Sequence, residues 1–179
     1  MLLQPYDTQW PADFESICII LRQTLEGYAI RIEHIGSTAV PGLAAKPIID
    51  IDLVYPNNDI FPTIQQQLNT IGYQHVGDQG IAQREVFKRL GAPQHPVLDS
   101  IRHHLYLCPP HSEELKRHLA FRDYLRQHEA ARQTYQALKL DIAAATHQDR
   151  KAYAALKQER ARDFIEQILT AHQNSQHQP

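Results

Sequence analysis

The sequence predicts an α/β protein of the α+β kind, a mixed β-sheet flanked by helices with a helical part at the C-terminal end. Two observations point there. Short apolar runs with strand-like alternation recur between residues 29 and 109, interleaved with segments of helical apolar spacing. From Ser112 onward the chain changes character and becomes rich in Ala, Leu, Gln and Arg. The expected organisation is a core over 1–110, C-terminal helices over 111–172 packed on it as one compact unit, and a disordered polar tail over 173–179.

In chain order, DTQWPADFESICIILRQTLEG reads as a helix. Pro11 suits its first turn, Phe14, Ile17, Cys18, Leu21 and Leu25 share a face, and Gly27 closes its end. AIRIEHIG alternates as a strand, the loop STAVPGLAAKP follows, and IIDIDLVY is a second strand beside the first. DIFPTIQQQLNTIG is a helix ended by Gly72. YQHVG, REVFKRLG and RHHLYLCP are three short strands joined by Gly- and Pro-containing loops, with Asp99 in the loop before the last. SEELKRHLAFRDYLRQH opens on a Ser112 cap, and EAARQTYQALKLDIAAATHQ and DRKAYAALKQERARDFIEQILTAHQ are two further helices, three after residue 111 in all.

Composition narrows the function. The 179 residues carry a net charge of −2, which gives no global attraction to nucleic acid or to a membrane surface. No apolar run approaches the ~20 residues of a membrane helix, and MLLQPYDTQWPADF has neither the basic start nor the apolar centre of a signal peptide. Cys18 and Cys108 have no ligand-like spacing; a reduced, cytoplasmic setting is the expectation, with one disulfide as the alternative.

The chemistry concentrates in EHIGSTAVPGLAAKPIIDIDLVY, residues 33–55. Asp50 and Asp52 lie two apart in a strand, so both face the same way. Two like charges on one face repel unless a cation neutralises both, and magnesium, which favours carboxylate oxygen and accompanies phosphates, suits the pair, with manganese as a substitute. The alternative is a strand end with solvated carboxylates. Upstream, Gly36 lets the backbone approach a ligand, and Ser37 and Thr38 offer hydroxyls and N–H groups at the start of a turn, which suits phosphate. Lys46 ends the loop and is placed to meet a phosphate; its alternative is a solvated loop lysine.

Strand, Gly-Ser, short loop and Asp-x-Asp strand together resemble the DNA polymerase beta-type nucleotidyltransferases. In that superfamily Gly-Ser holds the triphosphate and the aspartates hold metal. IEHIGSTAVPGLAAKPIIDIDLV, HHLYLC, HLAFRDYLRQH and YQALK further resemble the GrpB family, a nucleotidyltransferase-like group with members fused to dephospho-CoA kinase. The resemblance runs from about Tyr6 to the last helix. It implies a nucleotidyltransferase-like fold, with Asp50 and Asp52 as catalytic metal ligands and His104 as a third ligand; the alternative for His104 is a hydrogen-bonded core or substrate-contact histidine. The superfamily pattern asks for a third carboxylate on the later strand, where this chain has His104 and Tyr106; the GrpB pattern there is His-x-His, so Tyr106 departs from it. Arg122 and Arg126, four apart on one helical face, become candidates for bidentate phosphate binding, against a salt-bridged helix surface. Tyr135, Lys139 and Lys157 are further candidates for closing the cleft. His34 is expected to brace the loop, and Glu33 to be a surface charge.

Two functions follow as expectations. One is metal-dependent transfer of a nucleoside monophosphate from a nucleoside triphosphate to a small molecule or protein. The other is a non-catalytic nucleotide- or phosphometabolite-binding accessory module linked to coenzyme A metabolism. The base, the acceptor and the oligomeric state are open.

Overall fold

Period-2 alternation divides the strands into an apolar face and a polar one, and that division organises the molecule. The computed structural model describes residues 1–56, 58–91 and 93–176. Strands β1 (Arg31–Ile35), β2 (Ile49–Val54), β3 (Tyr73–His75), β4 (Glu85–Arg89) and β5 (His103–Cys108) form one sheet in the order β1-β2-β5-β4-β3. Among the described residues β2 and β5 run parallel and the other neighbours are antiparallel. The expected pairing of 31–35 with 49–54 is present, with Ile35 opposite Asp50 and Glu33 opposite Asp52.

The apolar face is covered by α1 (Trp10–Thr24), α2 (Phe61–Thr70) and α3 (Pro96–Ser100). Ile49, Ile51 and Leu53 of β2 and Leu105 and Leu107 of β5 pack there against Ile17, Leu21, Ile64, Leu68 and Leu98. Full burial of each such side chain contributes roughly 1.5–3 kcal/mol relative to exposure. A one-residue slip of β2 would exchange Ile49, Ile51 and Leu53 for Asp50 and Asp52, so the core holds the carboxylates on the opposite face. Pro11 stands in the first turn of α1 as its sequence suggests.

On the polar side α4 (Glu113–Gln127) packs against the sheet, and α5 (Glu129–Ala145), α6 (Arg150–Arg160) and α7 (Arg162–Gln176) follow it, packed on one another and on the loop between β1 and β2. The Ser112 hydroxyl accepts from the Leu115 N–H and caps α4. Val40 and Leu43 of the loop between β1 and β2 are buried with Leu125, Tyr135, Ala161 and Ile168, so this loop and the C-terminal helices share one core.

Three details differ from the expectation. Asp99 lies in the short helix α3, where His95 caps the N-terminus and the Asp99 carboxylate accepts from the His95 N–H. Among the described residues four helices, not three, follow residue 111, because the last helical segment is interrupted at Ala161. Ala161 is fully buried, and the break turns α7 so that Ile168 joins it against Leu125 and Tyr135, a tertiary demand with no proline or glycine to announce it. Helix α7 also runs through Gln176, and the remainder of the expected 173–179 tail lies outside the described residues.

Cys18 and Cys108 are both buried and free. Among the described residues no helix is long and apolar enough to cross a membrane.

Candidate functional site

The site starts from one backbone angle. Gly36 adopts φ 72° and ψ −168°, a region that side chains other than glycine's scarcely tolerate. A Cβ at Gly36 would overlap Asp50 Oδ2 and lie 3.2 Å from the Asp50 Cβ and Cγ. The close approach expected for a ligand is therefore made by Asp50 itself. Residues Ser37–Ala39 follow as a 3₁₀ turn. The Thr38 hydroxyl donates to the Ile48 carbonyl at 3.2 Å, which leaves it to accept from His34 Nε2 at 3.0 Å. Burial, and then the charge of Arg126, lowers the His34 pKa to about 4, so the ring is neutral. His34 braces the loop as expected, tying its turn to the start of β2.

On the polar face Asp50 lies opposite His104 and Asp52 opposite Tyr106. His104 Nδ1 is 2.8 Å from Asp50 Oδ1, so His104 holds the Asp50 carboxylate in place. Asp52 is fully buried, not solvent-accessible, and pairs with His118 Nδ1 at 2.8 Å. His118 Nε2 is 3.2 Å from Glu114. Burial works against a charge on His118, but its bonds to Asp52 and Glu114 outweigh it and raise its pKa to about 9. An imidazolium thus stands between two carboxylates. Burial pushes the Asp52 carboxyl upward and His118 draws it back. Asp52 Oδ1 is buried with no hydrogen-bond partner among the described residues.

Above these groups lies a cavity of about 500 Å³. Asp50, His104, Tyr106, Glu114 and His118 line its acidic end, and Ser37, Lys46, Lys139, Tyr153 and Lys157 line the rest with Tyr135. Lys139 is almost fully buried and donates from Nζ to the Ser37 hydroxyl at 3.2 Å and to the Ala44 carbonyl. Its burial, together with the charge of Lys157, lowers its pKa to about 7. Lys157 is shifted the other way, raised above all by Tyr135. Lys46 lies over the Tyr153 ring at 4.3 Å.

Of the residues singled out from sequence, Gly36, Ser37, Thr38, Lys46, Asp50, His104, Tyr135, Lys139 and Lys157 line this one cavity. Asp52, fully buried, does not line it, and neither do Arg122 and Arg126. Arg122 pairs with Glu33 at 2.7 Å and Asp123 at 2.7 Å and donates to the His34 carbonyl at 3.1 Å. Arg126 Nε donates to the Ala39 carbonyl at 2.9 Å. Both guanidiniums hold the loop and the first strand, because the face of α4 that carries them meets β1. Glu33, expected as a surface charge, is the largely buried partner of Arg122. Sequence reasoning missed Glu114 and His118. Their i, i+4 spacing on a helix following the strands was the available signal.

Asp50 at the cavity and the orphaned buried oxygen of Asp52, which does not itself line the cavity, are the groups that could hold a hard divalent cation. Among the described residues no three His, Cys, Asp or Glu side chains converge into a metal-binding group. Such an ion would be held by the aspartates alone, with His104 bonded to one of them.

The GrpB protein family matches residues 1–170 of this sequence. The chain belongs to the GrpB family. A UPF0157 protein of Pseudomonas aeruginosa is 35% identical over 167 residues, covering 93% of this chain and 67% of that protein. A conserved GrpB protein of Enterococcus faecalis, known from a crystal structure, superposes with a TM-score of 0.77 at 31% identity, over 95% of this chain and 98% of that one. A dephospho-CoA kinase of Mycolicibacterium paratuberculosis is 29% identical over 180 residues, with 90% of this GrpB-family chain matched to 44% of the kinase. The fold is nucleotidyltransferase-like. A cytoplasmic RNA terminal U-transferase superposes with a TM-score of 0.55 at 12% identity over 78% of this chain and 42% of that one, a likeness of fold alone.

Proposed function

We propose that this GrpB-family protein is a metal-dependent nucleotidyltransferase that moves a nucleoside monophosphate from a nucleoside triphosphate to a small molecule or protein. The observation that supports it most is one cavity with a carboxylate at one end and three lysines along its wall, Lys46, Lys139 and Lys157. Magnesium or manganese would be held by Asp50 and Asp52 and would neutralise phosphate charge. Lys46, Lys157 and the Ser37 hydroxyl would orient the triphosphate, and Lys139 would hold Ser37 in position. In the transfer an acceptor oxygen or nitrogen bonds to the α-phosphorus, the bond to pyrophosphate breaks, pyrophosphate leaves with the electron pair, and the acceptor's proton passes to water. The His118 imidazolium stays bonded to Asp52 and Glu114 and keeps this end of the cavity from accumulating uncompensated negative charge.

A second reading, a binding module without turnover, is favoured by Tyr106, which stands opposite Asp52 where a third carboxylate was expected. The dephospho-CoA kinase relatives suit this module, attached to coenzyme A metabolism, as well as they suit the enzyme.

Calorimetric titration of ATP, with and without magnesium, into wild type and Asp50→Asn/Asp52→Asn protein tests the shared part of both readings. Equal magnesium-dependent affinity in the two proteins overturns the carboxylate account. Pyrophosphate release from each of the four triphosphates, dependent on both aspartates and on an added metabolite pool, separates enzyme from module. Binding without release leaves the module.

A further inference from the structure

Where β4 and β5 part, the sheet opens a second cavity of about 640 Å³. The ladder between the two strands ends at Phe87 opposite Leu105, although β4 continues to Arg89 and β5 begins at His103. Beyond that point Lys88 and Arg89 keep only the pairing with β3 on the other edge of β4. The walls of this opening are cationic. Arg84, Lys88, Arg89, Arg102 and Arg150 line it, with Asp99 as the carboxylate among them.

That carboxylate is already engaged. Arg89 binds Asp99 at 2.6 Å and donates to the carbonyls of Ile71 and Pro93, so Arg89 and Asp99 together hold the surrounding backbone. Arg84 lies 4.8 Å over the Tyr106 ring, only 4.0 Å from Glu114 at its nearest, and its Nε is buried with no hydrogen-bond partner among the described residues. Lys88 and Arg102 are exposed and take part in none of the ion pairs among the described residues. Positive charge therefore exceeds negative in a concave site large enough for one metabolite. The two cavities also share a wall made by Ile48, His104 and Tyr106.

We infer that this second cavity binds a small anionic co-substrate, its phosphate or carboxylate oxygens held by Arg84, Lys88 and Arg102, next to the nucleotide across the His104–Tyr106 wall. Guanidinium groups suit both anions because their forked donors meet two oxygens at once. The role of acceptor rests on the nucleotidyltransferase reading; the anion subsite does not. A nucleic-acid chain is disfavoured as occupant by the overall charge of −2.

The test is calorimetric titration of the full chain, in EDTA at low salt, with inorganic phosphate and separately with succinate. The same titrations are made on Lys88→Gln/Arg102→Gln protein, whose substitutions are exposed and away from the lysines of the nucleotide cavity. The expected result is saturable binding of at least one anion, weakened about tenfold or more in the variant, with ATP affinity in magnesium unchanged within about twofold. The tighter of the two anions identifies the acid group. The anion should remain bound when ATP and magnesium are present at saturation. Absence of saturable binding, equal binding by the variant, or displacement of the anion by nucleotide overturns the inference. If wild type fails to bind ATP but binds the anion in a manner sensitive to Lys88 and Arg102, the nucleotidyltransferase reading falls and the anion subsite stands.

Discussion

Replacing Gly36 by alanine probes the contact on which the candidate site is built. The backbone at Gly36 has φ 72° and ψ −168°, and a residue with a Cβ held there costs ~1–3 kcal/mol. The new methyl would also overlap Asp50 Oδ2 and press on Asp50 Cβ and Cγ at 3.2 Å, while Asp50 is held from the other side by His104 at 2.8 Å. Overpacking of this kind adds ~1–3 kcal/mol. At ~2–4 °C per kcal/mol for a chain of this size, Gly36→Ala should lower Tm by roughly 5–20 °C. Thermal unfolding of Gly36→Ala, Asp50→Ala and the double variant completes a cycle. Asp50→Ala removes the overlap with Oδ2 and Cγ and leaves the backbone strain and the 3.2 Å contact with the residue-50 Cβ, so the cost of Gly36→Ala should fall by up to ~1–3 kcal/mol in the Asp50→Ala background. In otherwise wild-type protein Gly36→Ala should also weaken magnesium-dependent ATP binding as much as Asp50→Asn does, because the carboxylate must move. An identical cost of Gly36→Ala in both backgrounds would refute the reasoning, since Gly36 would then serve the turn and not the carboxylate.

Lys139 should make nucleotide binding sensitive to pH. Its pKa is lowered to about 7 by burial and by Lys157, and a bound phosphate would raise it, so ATP affinity should be highest below pH 7 and decline as pH rises above it; Lys139→Met should flatten the profile in calorimetry. The same shift bears on stability with the opposite slope. The unfolded lysine, at its ordinary 10.5, holds more protons than the folded one between about pH 7 and 10.5. Stability by chemical denaturation should therefore rise with pH across that window, and Lys139→Met should remove the rise. Arg122→Ala breaks the pair with Glu33 and the bond to the His34 carbonyl, and should cost ~1–3 kcal/mol in denaturant titration while ATP affinity stays within about twofold. A large loss of affinity with unchanged stability would restore Arg122 as a phosphate ligand. Asp52→Ala strips His118 of its buried partner and should destabilise by ~3–5 kcal/mol, and Asp52→Asn, which keeps the shape, by less.

Much of the fold and part of the site are properties of local sequence. Residues 29–55 carry their own geometry: alternation makes two strands, Gly-Ser makes the turn between strand and loop, and spacing of two puts Asp50 and Asp52 on one face. The same period put His104 and Tyr106 together on β5. What side chains far apart in the chain do to one another was settled only by tertiary packing. Arg122 and Arg126 share a helical face with the expected spacing, but the docking of α4 turns that face to Glu33 and the loop carbonyls. The same docking brings His118 and Glu114 to Asp52, and so makes one of the two same-face carboxylates buried and counter-charged. Helical periodicity specifies which residues share a face, whereas the direction of that face depends on how the buried volumes of Leu115, Leu125, Tyr135 and Ile168 fit together, a sum over the whole core that no segment contains.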